Sequence, residues 1–184
     1  MMKNNYVAVI LISSILINTS CHKDDVKQDE TPPILSCTPV ALSTVSSFIA
    51  FGADLSATQK NPAFEYLVNS DSVHVRISSS GKVERIFLND NFADYEIWIM
   101  PFSNSVYRII YDHVTGVSVK EGVILNAGEI IGTVGIGNRT ELQINKVINK
   151  SELAYCPFNF GTKEFIEAHK LISTSWCLQD TVVP

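Results

Sequence analysis

Residues 111–145 decide the fold, and they read YDHVTGVSVKEGVILNAGEIIGTVGIGNRTELQIN. Six glycines fall within 22 residues of this stretch: Gly116, Gly122, Gly128, Gly132, Gly135 and Gly137. Glycine is unfavourable inside a strand unless the backbone needs a positive φ or another segment approaches closely. The stretch therefore predicts tightly turned strands that cross near one another.

Short segments with a two-residue period surround this stretch. Apolar and polar residues alternate through 73–77, 82–88, 95–100, 106–111 and 141–145, and Gly, Asn or Pro residues separate the segments. Short alternating strands with such turns are typical of an all-β sandwich or barrel. Further short strands are predicted at 117–119 and 128–134, whereas residues 54–66 fit either a turn or a short helix.

One helix is predicted near the C-terminus, over residues 163–172. Thr162 is a suitable N-cap, and Phe165, Ile166 and His169 share one helical face.

Three cysteines remain after residue 21, and they permit one disulfide. Cys156 and Cys177 flank the predicted helix and are therefore the first choice. A disulfide also requires an oxidising compartment, such as those reached by exported proteins. The alternative is three free thiols, with Cys37 as the third.

The first 20 residues have the order of charge, apolar core and small-residue site that marks a secretory signal. Their apolar run is too short for a membrane span, which needs roughly 20 residues. Ser20 and Cys21 then resemble the lipobox of bacterial lipoproteins, although Asn18 replaces its usual leucine. We therefore expect a mature chain that begins at a lipidated Cys21. The alternative is an ordinary secreted protein with a free Cys21 or another cleavage site.

The segment after Cys21 predicts a tether. Residues 21–38 are polar and charged and contain Pro32 and Pro33, which indicates a flexible linker between the lipid and a domain over residues 39–184. The whole chain has a formal net charge of −5, and no polybasic arm follows Cys21. Binding to nucleic acid is therefore not expected.

Residues 111–145 resemble the C-terminal half of the LytM/lysostaphin-type peptidoglycan metallopeptidases. That family has a Tyr-x-His strand, a run of spaced glycines ending in Ile-Gly, and a His-x-His strand. The corresponding features here are the strand that begins at Tyr111, the glycine run that ends at Ile131 and Gly132, and the strand that begins at Glu141. Residues 72–86 resemble, more loosely, the family's paired strands around a Gly-x-Val turn. The resemblance implies a bent antiparallel β-sandwich built on a duplicated hybrid motif.

The same resemblance implies a zinc site that the residues do not supply. Active members hold zinc with His, Asp and a second His. Here His113 occupies the position of a catalytic histidine that is not a zinc ligand. Glu141 occupies the position of a second such histidine, and Gln143 occupies the position of a histidine that binds zinc. Glutamine is a poor zinc ligand because it is neutral and offers one weak carbonyl oxygen. No His-x-x-x-Asp occurs in the body of the chain, so we expect no bound metal, no other cofactor and no confident catalytic residue.

His113 is interpreted as a structural histidine or as a polar partner of Glu141 across adjacent strands, where the pair is a binding feature or a relic. Paired carboxylates elsewhere are interpreted as charged turn residues: Asp90 with Asp94, and Glu65 with Asp71. Four aromatic residues lie in predicted strands and fit a core: Tyr95, Trp98, Tyr107 and Tyr111. If some of them line a groove, they suit contacts with sugars or peptides.

These features favour a non-catalytic envelope lipoprotein on a degenerate zinc-peptidase fold. Its expected partners are the membrane, through the lipid, and peptidoglycan or a cell-wall amidase that it regulates. His22 follows Cys21 in place of the Asp that typically retains lipoproteins in the inner membrane, so the outer membrane is the expected location. Two alternatives remain open: an active peptidoglycan endopeptidase with a rearranged zinc site, and a lineage-specific surface lipoprotein with no cell-wall role.

Overall fold

The structure is a computed structural model, and it describes residues 27–184. The signal sequence and Cys21 lie outside the described residues, so cleavage and lipidation stay predictions. No helix within residues 27–184 is long and apolar enough to cross a membrane.

Antiparallel strands and one short α-helix make up the described chain. The strands are β1 (Val45–Ile49), β2 (Ala63–Val68), β3 (His74–Arg76), β4 (Gly81–Leu88), β5 (Tyr95–Met100), β6 (Tyr107–Thr115), β7 (Ile124–Leu125), β8 (Ile130–Val134), β9 (Arg139–Ile148), β10 (Ser151–Tyr155) and β11 (Thr181–Val182). The helix α1 spans Lys163–Lys170, and 3-10 turns lie at Leu42–Thr44 and Pro157–Phe160. The main strand order is β1-β2-β9-β6-β5-β4-β7. The all-β antiparallel class and the single late helix are therefore confirmed.

The central strands bury one face and leave polar residues on the other. Fully buried residues of β5, β6 and β9 form the centre of the core: Ile97, Ile99, Ile109, Tyr111, Leu142 and Ile144. Because side chains alternate along a strand, the residues between them point to the opposite face. That opposite face carries the site described below.

Two glycines of the sequence stretch that decides the fold are required by close approach. A Cβ at Gly132 would lie 2.5 Å from the carbonyl oxygen of Thr115, on the neighbouring strand β6. A Cβ at Gly135 would lie 2.5 Å from Oδ2 of Asp94 and 2.8 Å from the backbone of His113. The predicted close crossing of strands is therefore confirmed here, and it presses the end of β8 against Asp94 and His113.

The C-terminal extension packs against the sheet through aromatic rings. Trp176 is fully buried and stacks on Phe48 of β1, with ring centroids 4.0 Å apart. Its indole N–H donates to the backbone carbonyl of His169 at 2.9 Å. A disulfide joins Cys156 and Cys177, the pair that the sequence favoured.

His169 is a buried histidine with both ring nitrogens bonded. Its Nδ1 donates to the backbone carbonyl of Phe165 at 2.7 Å, so Nε2 accepts from the Tyr66 hydroxyl at 2.8 Å. Burial lowers the pKa of His169 to about 4, and the ring is neutral at neutral pH. His169 therefore has a structural role in holding α1 to β2.

The segment before residue 39 is bound to the domain, although the sequence predicted a flexible tether through residue 38. The backbone N–H of Asp29 donates to Asn104, and its carbonyl accepts from Val106, at 2.9 and 2.8 Å. Leu35 is fully buried, and its backbone N–H donates to Phe160 at 2.8 Å. The tether prediction is wrong for residues 29–38, because Leu35 is buried by contacts that are distant in sequence.

Smaller differences concern loops and strands. Residues 117–119 form no strand, and residues 54–62 form a loop closed by a bridge between Asp54 and Lys60, followed directly by β2. The sequence interpretation missed β1, β2, β7, β10 and β11, because these strands are very short or their residues do not alternate clearly. Of these, β2 contributes directly to the site.

Candidate functional site on the polar face of the sheet

Four neighbouring strands place carboxylates on one face of the sheet, which we call the polar face. The strands β2, β9, β6 and β5 lie side by side in this order. Each contributes one carboxylate: Glu65 from β2, Glu141 from β9, Asp112 from β6 and Glu96 from β5. Glu65 lies directly opposite Glu141 in the β2–β9 ladder. Like charges at such close positions repel each other unless one is protonated or neutralised.

A bulge in β6 brings Asp112 and His113 together beside this face. The register between β5 and β6 shifts here, so that both residues stand opposite the single residue Glu96. His113 has φ of 54°, in the left-handed region that non-glycine residues rarely adopt. Its backbone N–H donates to the Asp112 carboxylate at 2.6 Å, which stabilises this conformation. Bulges change the direction of a side chain, and this one directs the His113 ring toward the carboxylates.

The His113 ring is held by a buried carboxylate. Its Nδ1 lies 2.9 Å from Oδ2 of the fully buried Asp94, so Nδ1 carries a proton and donates it. The Asn89 amide donates to both Asp94 and Asp112, at 2.8 and 2.7 Å, and links the two carboxylates. The other ring nitrogen, Nε2, faces oxygens of Asp112 and Glu141, each 3.7 Å away. His113 and Glu141 thus face each other across adjacent strands.

The turn between β4 and β5 covers His113. The Phe92 ring packs edge-on against the imidazole, with centroids 5.4 Å apart, and remains 43% exposed. The Arg139 guanidinium lies 5.2 Å from the centroid of the Phe92 ring and 3.2 Å from Glu65. The carboxylate cluster is therefore only partly shielded from water, since the side chains of Asp112 and Glu141 keep 23% and 17% of their surface exposed.

Burial and mutual repulsion shift the pKa values of two carboxyl groups. Burial raises the pKa of Glu141 to about 8, and the negative charges of Glu65 and Asp112 add to the effect. Burial also raises the pKa of Glu96, although the Trp98 indole N–H donates to this carboxylate and acts in the opposite direction. Glu141 is therefore mostly protonated at neutral pH and can donate a hydrogen bond.

The residues at the implied zinc position do not fit zinc. Gln143 lies opposite Ala63, a residue without a ligand atom in its side chain. The Gln143 amide N–H donates to the Asn145 side chain at 2.7 Å. The nearest carboxylate on β2, Glu65, is paired with Arg139. Within residues 27–184, three nitrogen or oxygen ligands with an open fourth position, as catalytic zinc requires, are not assembled around Gln143.

The histidines of the described chain do not converge on one site. His74 is exposed on β3, and His169 is buried in the C-terminal extension. One group in residues 27–184 offers potential ligand atoms within 4.8 Å of one another: Asp94, Asp112 and His113. Hydrogen bonds within this group and to Asn89 already account for its arrangement.

Sequence reasoning located part of the cluster and missed the rest. His113 and Glu141 come together. Gln143 lies two residues further along β9 and bonds to Asn145 instead of joining this cluster. Asp94 does lie in the connection between β4 and β5, but it is buried and bonded to His113. The interpretation of Glu65 as a turn residue is wrong, because it lies on β2, buried and bonded to Arg139. The one residue of the missed part that the local sequence could have indicated is Asp112, because it directly precedes His113.

Several solved structures share this architecture. A chain of the SpoIIQ–SpoIIIAH pore-forming complex matches with a TM-score of 0.54 and 18% identity, over 76% of this chain and 98% of that one. Csd3 of Helicobacter pylori matches with a TM-score of 0.54 and 19% identity, over 72% of this chain and 36% of that one. The catalytic domain of the antimicrobial peptidase lysostaphin from Staphylococcus simulans matches with a TM-score of 0.50 and 21% identity, over 62% and 89%. The fold is that of the LytM and lysostaphin-type peptidases.

The LytM-like fold predicted from residues 111–145 is thus confirmed. No family model matches the sequence, and no curated protein matches it. The chain spans 36% of the Csd3 chain and 52% of a longer lysostaphin chain, so these likenesses concern the LytM-like domain alone.

Proposed function

We propose that this LytM-like domain binds the cell wall or regulates a cell-wall hydrolase, and does not hydrolyse peptidoglycan itself. The observation that carries the proposal is Gln143, which falls on a zinc-ligand position of the resembled family and lies opposite Ala63, a residue without a ligand atom. A neutral amide already bonded to Asn145 is a weak substitute for an imidazole. His113, the histidine beside the polar face, is held between carboxylates.

The polar face has the chemistry of a binding surface. Protonated Glu141 is a hydrogen-bond donor, and Asp112 and Glu65 beside it are acceptors. Donors and acceptors at fixed positions on a rigid sheet suit ligands rich in amide or hydroxyl groups. Both the peptide and the glycan parts of peptidoglycan are of this kind, and so is the surface of a protein partner.

A role in complexes agrees with one structural relative. SpoIIQ was solved in a pore-forming complex with SpoIIIAH, and the match covers almost the whole of its chain. A LytM-like domain can therefore act as an assembly partner, and we propose the same type of role here, with a cell-wall amidase as the expected partner.

We further propose that the domain is held at the outer membrane by a lipid on Cys21. Because Asp29 is already bonded to the domain, the linker is shorter than the sequence predicted. The eight residues from Cys21 to Asp29 reach at most about 28 Å when fully extended. The domain would then contact only the part of the cell wall that lies nearest to the membrane.

Sedimentation with purified sacculi, together with an amidase stimulation assay, tests the proposal. We expect the mature protein to be retained on sacculi or to raise amidase activity, and we expect Glu141→Ala to weaken the effect. His74→Ala is the matched control, because His74 is an exposed residue away from the polar face. If the protein is not retained on sacculi and does not raise amidase activity, the proposal is overturned. The interpretation as a surface lipoprotein without a cell-wall role then remains.

A second candidate function is an active endopeptidase with a rearranged site. The observation in its favour is the group formed by Asp94, Asp112 and His113, in which a buried carboxylate orients an imidazole, as in sites that use histidine as a base. Metal content and muralytic activity distinguish this candidate from the first.

A further inference from the structure

A cavity of about 680 Å³ opens on the sheet beside Trp98, at the end of the polar face away from His113. The rings of Trp98 and Phe87 form one wall, with centroids 5.3 Å apart, and Phe87 is 42% exposed. Val106 and Val147 add apolar surface to the lining. The volume lies within the range of small-molecule sites in proteins.

A fixed ion pair forms the polar part of the cavity. The register between β4 and β5 shifts around Glu84, so that this residue is the additional one on β4. Its carboxylate reaches across β5 to the Arg108 guanidinium, whose Nη2 lies 2.8 Å from Oε1 of Glu84 and whose Nε makes a second contact. Arg108 also donates to the backbone carbonyl of Ser105 at 2.7 Å. Both side chains are thus held in place before any ligand arrives, which lowers the entropy lost on binding.

The charges of the cavity balance. Two acidic and two basic side chains line it: Glu84, Glu152, Arg85 and Arg108. A balanced site gives no net attraction to a strongly charged ligand. An aromatic wall facing fixed hydrogen-bonding groups favours instead a neutral ligand with one apolar face and polar edges.

The backbone of the strands beneath the cavity is largely paired within the sheet. The cavity lies over the strands β4, β5, β6 and β9, whose ladders already pair the backbone groups of neighbouring strands. An extended peptide that adds to a sheet needs the free backbone groups of an edge strand. Over the face of these strands recognition therefore uses side chains, whereas the outer edge of β4, paired with β7 only at Gly81 and Lys82, is the edge available to a peptide that adds as a strand.

We propose that this cavity binds a saccharide, with one sugar ring against Trp98 and its hydroxyl groups bonded to Glu84, Glu152 and Arg85. The C–H groups on one side of a pyranose ring are apolar and pack on an indole, while its hydroxyl groups lie around the rim and bond to carboxylates and guanidinium groups. The Trp98 N–H is bonded to Glu96, which fixes the plane of the indole. This inference rests on the proposed binding function and adds the class of ligand.

Intrinsic fluorescence provides a direct test, since the chain has two tryptophans and Trp176 is fully buried. The mature protein is titrated with chitotetraose, with maltotetraose and with a soluble peptidoglycan stem tetrapeptide. We expect a saturable change in Trp98 emission with a tetrasaccharide. Saturation with chitotetraose alone would identify an amino-sugar chain such as that of the cell wall, and saturation with maltotetraose would identify a broader saccharide site.

Calorimetric titration of variants then assigns the site. Trp98→Ala should weaken saccharide binding at least tenfold, and Arg85→Ala, at an exposed position that should leave the fold intact, should weaken it several-fold. Phe102→Ala is the matched control, because it removes a partly exposed ring outside the cavity and should leave binding unchanged.

Binding of the stem peptide alone, or saccharide binding that survives both Trp98→Ala and Arg85→Ala, would overturn the inference. Retention on sacculi without saccharide binding would refute the saccharide site while leaving the proposed function in place. Saccharide binding without retention on sacculi or amidase stimulation would refute the proposed function while leaving the saccharide site.

Discussion

Glu65 and Glu141 lie directly opposite each other on neighbouring antiparallel strands, and the charge of Glu65 helps to raise the pKa of Glu141 to about 8. Arg139 forms an ion pair with Glu65 at 3.2 Å. In this LytM-like domain the polar face therefore stores a proton on a carboxyl group beside His113. That arrangement has consequences for stability that can be measured.

Glu141→Gln should stabilise the domain at alkaline pH. The folded-state pKa of about 8 lies above the ordinary value of 4.5, so the unfolded chain releases this proton at a lower pH than the folded protein does, and stability falls between pH 4.5 and pH 8. Gln cannot ionise, and the variant should exceed the parent protein in unfolding free energy by roughly 4–5 kcal/mol at pH 8.5. At pH 4.5 the two proteins should be nearly equal. Urea unfolding at both pH values measures the difference.

Asp90→Asn is the control for this measurement, because Asp90 is an exposed acidic residue in the turn after β4. It should leave the unfolding free energy unchanged at both pH values. A Glu141→Gln variant with the same pH dependence as the parent protein would show that Glu141 is ionised at neutral pH.

His169 should make the domain sensitive to acid. Its pKa of about 4 in the folded state lies below the ordinary 6.5, so the unfolded chain binds a proton more readily. Stability should be fully present above pH 6.5 and should decline by about 3 kcal/mol as the pH falls to 4. The measurement is urea unfolding at pH 7 and pH 4, carried out in the Glu141→Gln background to remove the opposite effect of that group.

His169→Gln should be less stable at pH 7, because the buried Tyr66 hydroxyl loses its imidazole partner, and should lose less stability between pH 7 and pH 4. His74→Ala, at an exposed histidine, should keep the pH dependence of the background. An equally steep decline in the His169→Gln variant would assign the acid sensitivity to other groups.

Leu35→Ala tests whether the segment before residue 39 belongs to the fold. Leu35 is fully buried, and truncation of a buried leucine typically destabilises a domain by about 2–5 kcal/mol. The neighbouring Ile34 is 64% exposed and provides the matched control, since Ile34→Ala should change the unfolding free energy very little. If both variants unfold like the parent protein, residues 29–38 are a tether after all.

The fold was predictable because its signals are local. Alternation over 82–88 and 95–100 predicted β4 and β5, and the spaced glycines predicted the close crossings that Gly132 and Gly135 make possible. The helix α1 was predictable from the Thr162 cap and its apolar face, and the cap hydrogen bond to Phe165 is present at 3.3 Å.

Most of the site was not predictable, because its bonds join strands that are distant in sequence. Asp94 reads as one more acidic residue of a turn until β5 and β6 pair and place it beside His113. Glu65 lies on a strand without clear alternation, and only the β2–β9 ladder reveals its position opposite Glu141. The burial of Leu35 likewise depends on the region around Phe160. In each case the deciding contact has no counterpart in the local sequence pattern.

The central claim is that this LytM-like domain acts without zinc-dependent hydrolysis of peptidoglycan. The most direct test is metal analysis of the purified mature protein combined with a muralytic assay on sacculi. After incubation with zinc and gel filtration, we expect no stoichiometric zinc and no release of peptidoglycan fragments, from either the parent protein or His113→Ala. Stoichiometric zinc in the parent protein, lost together with muralytic activity in His113→Ala, would contradict the account and establish an active endopeptidase.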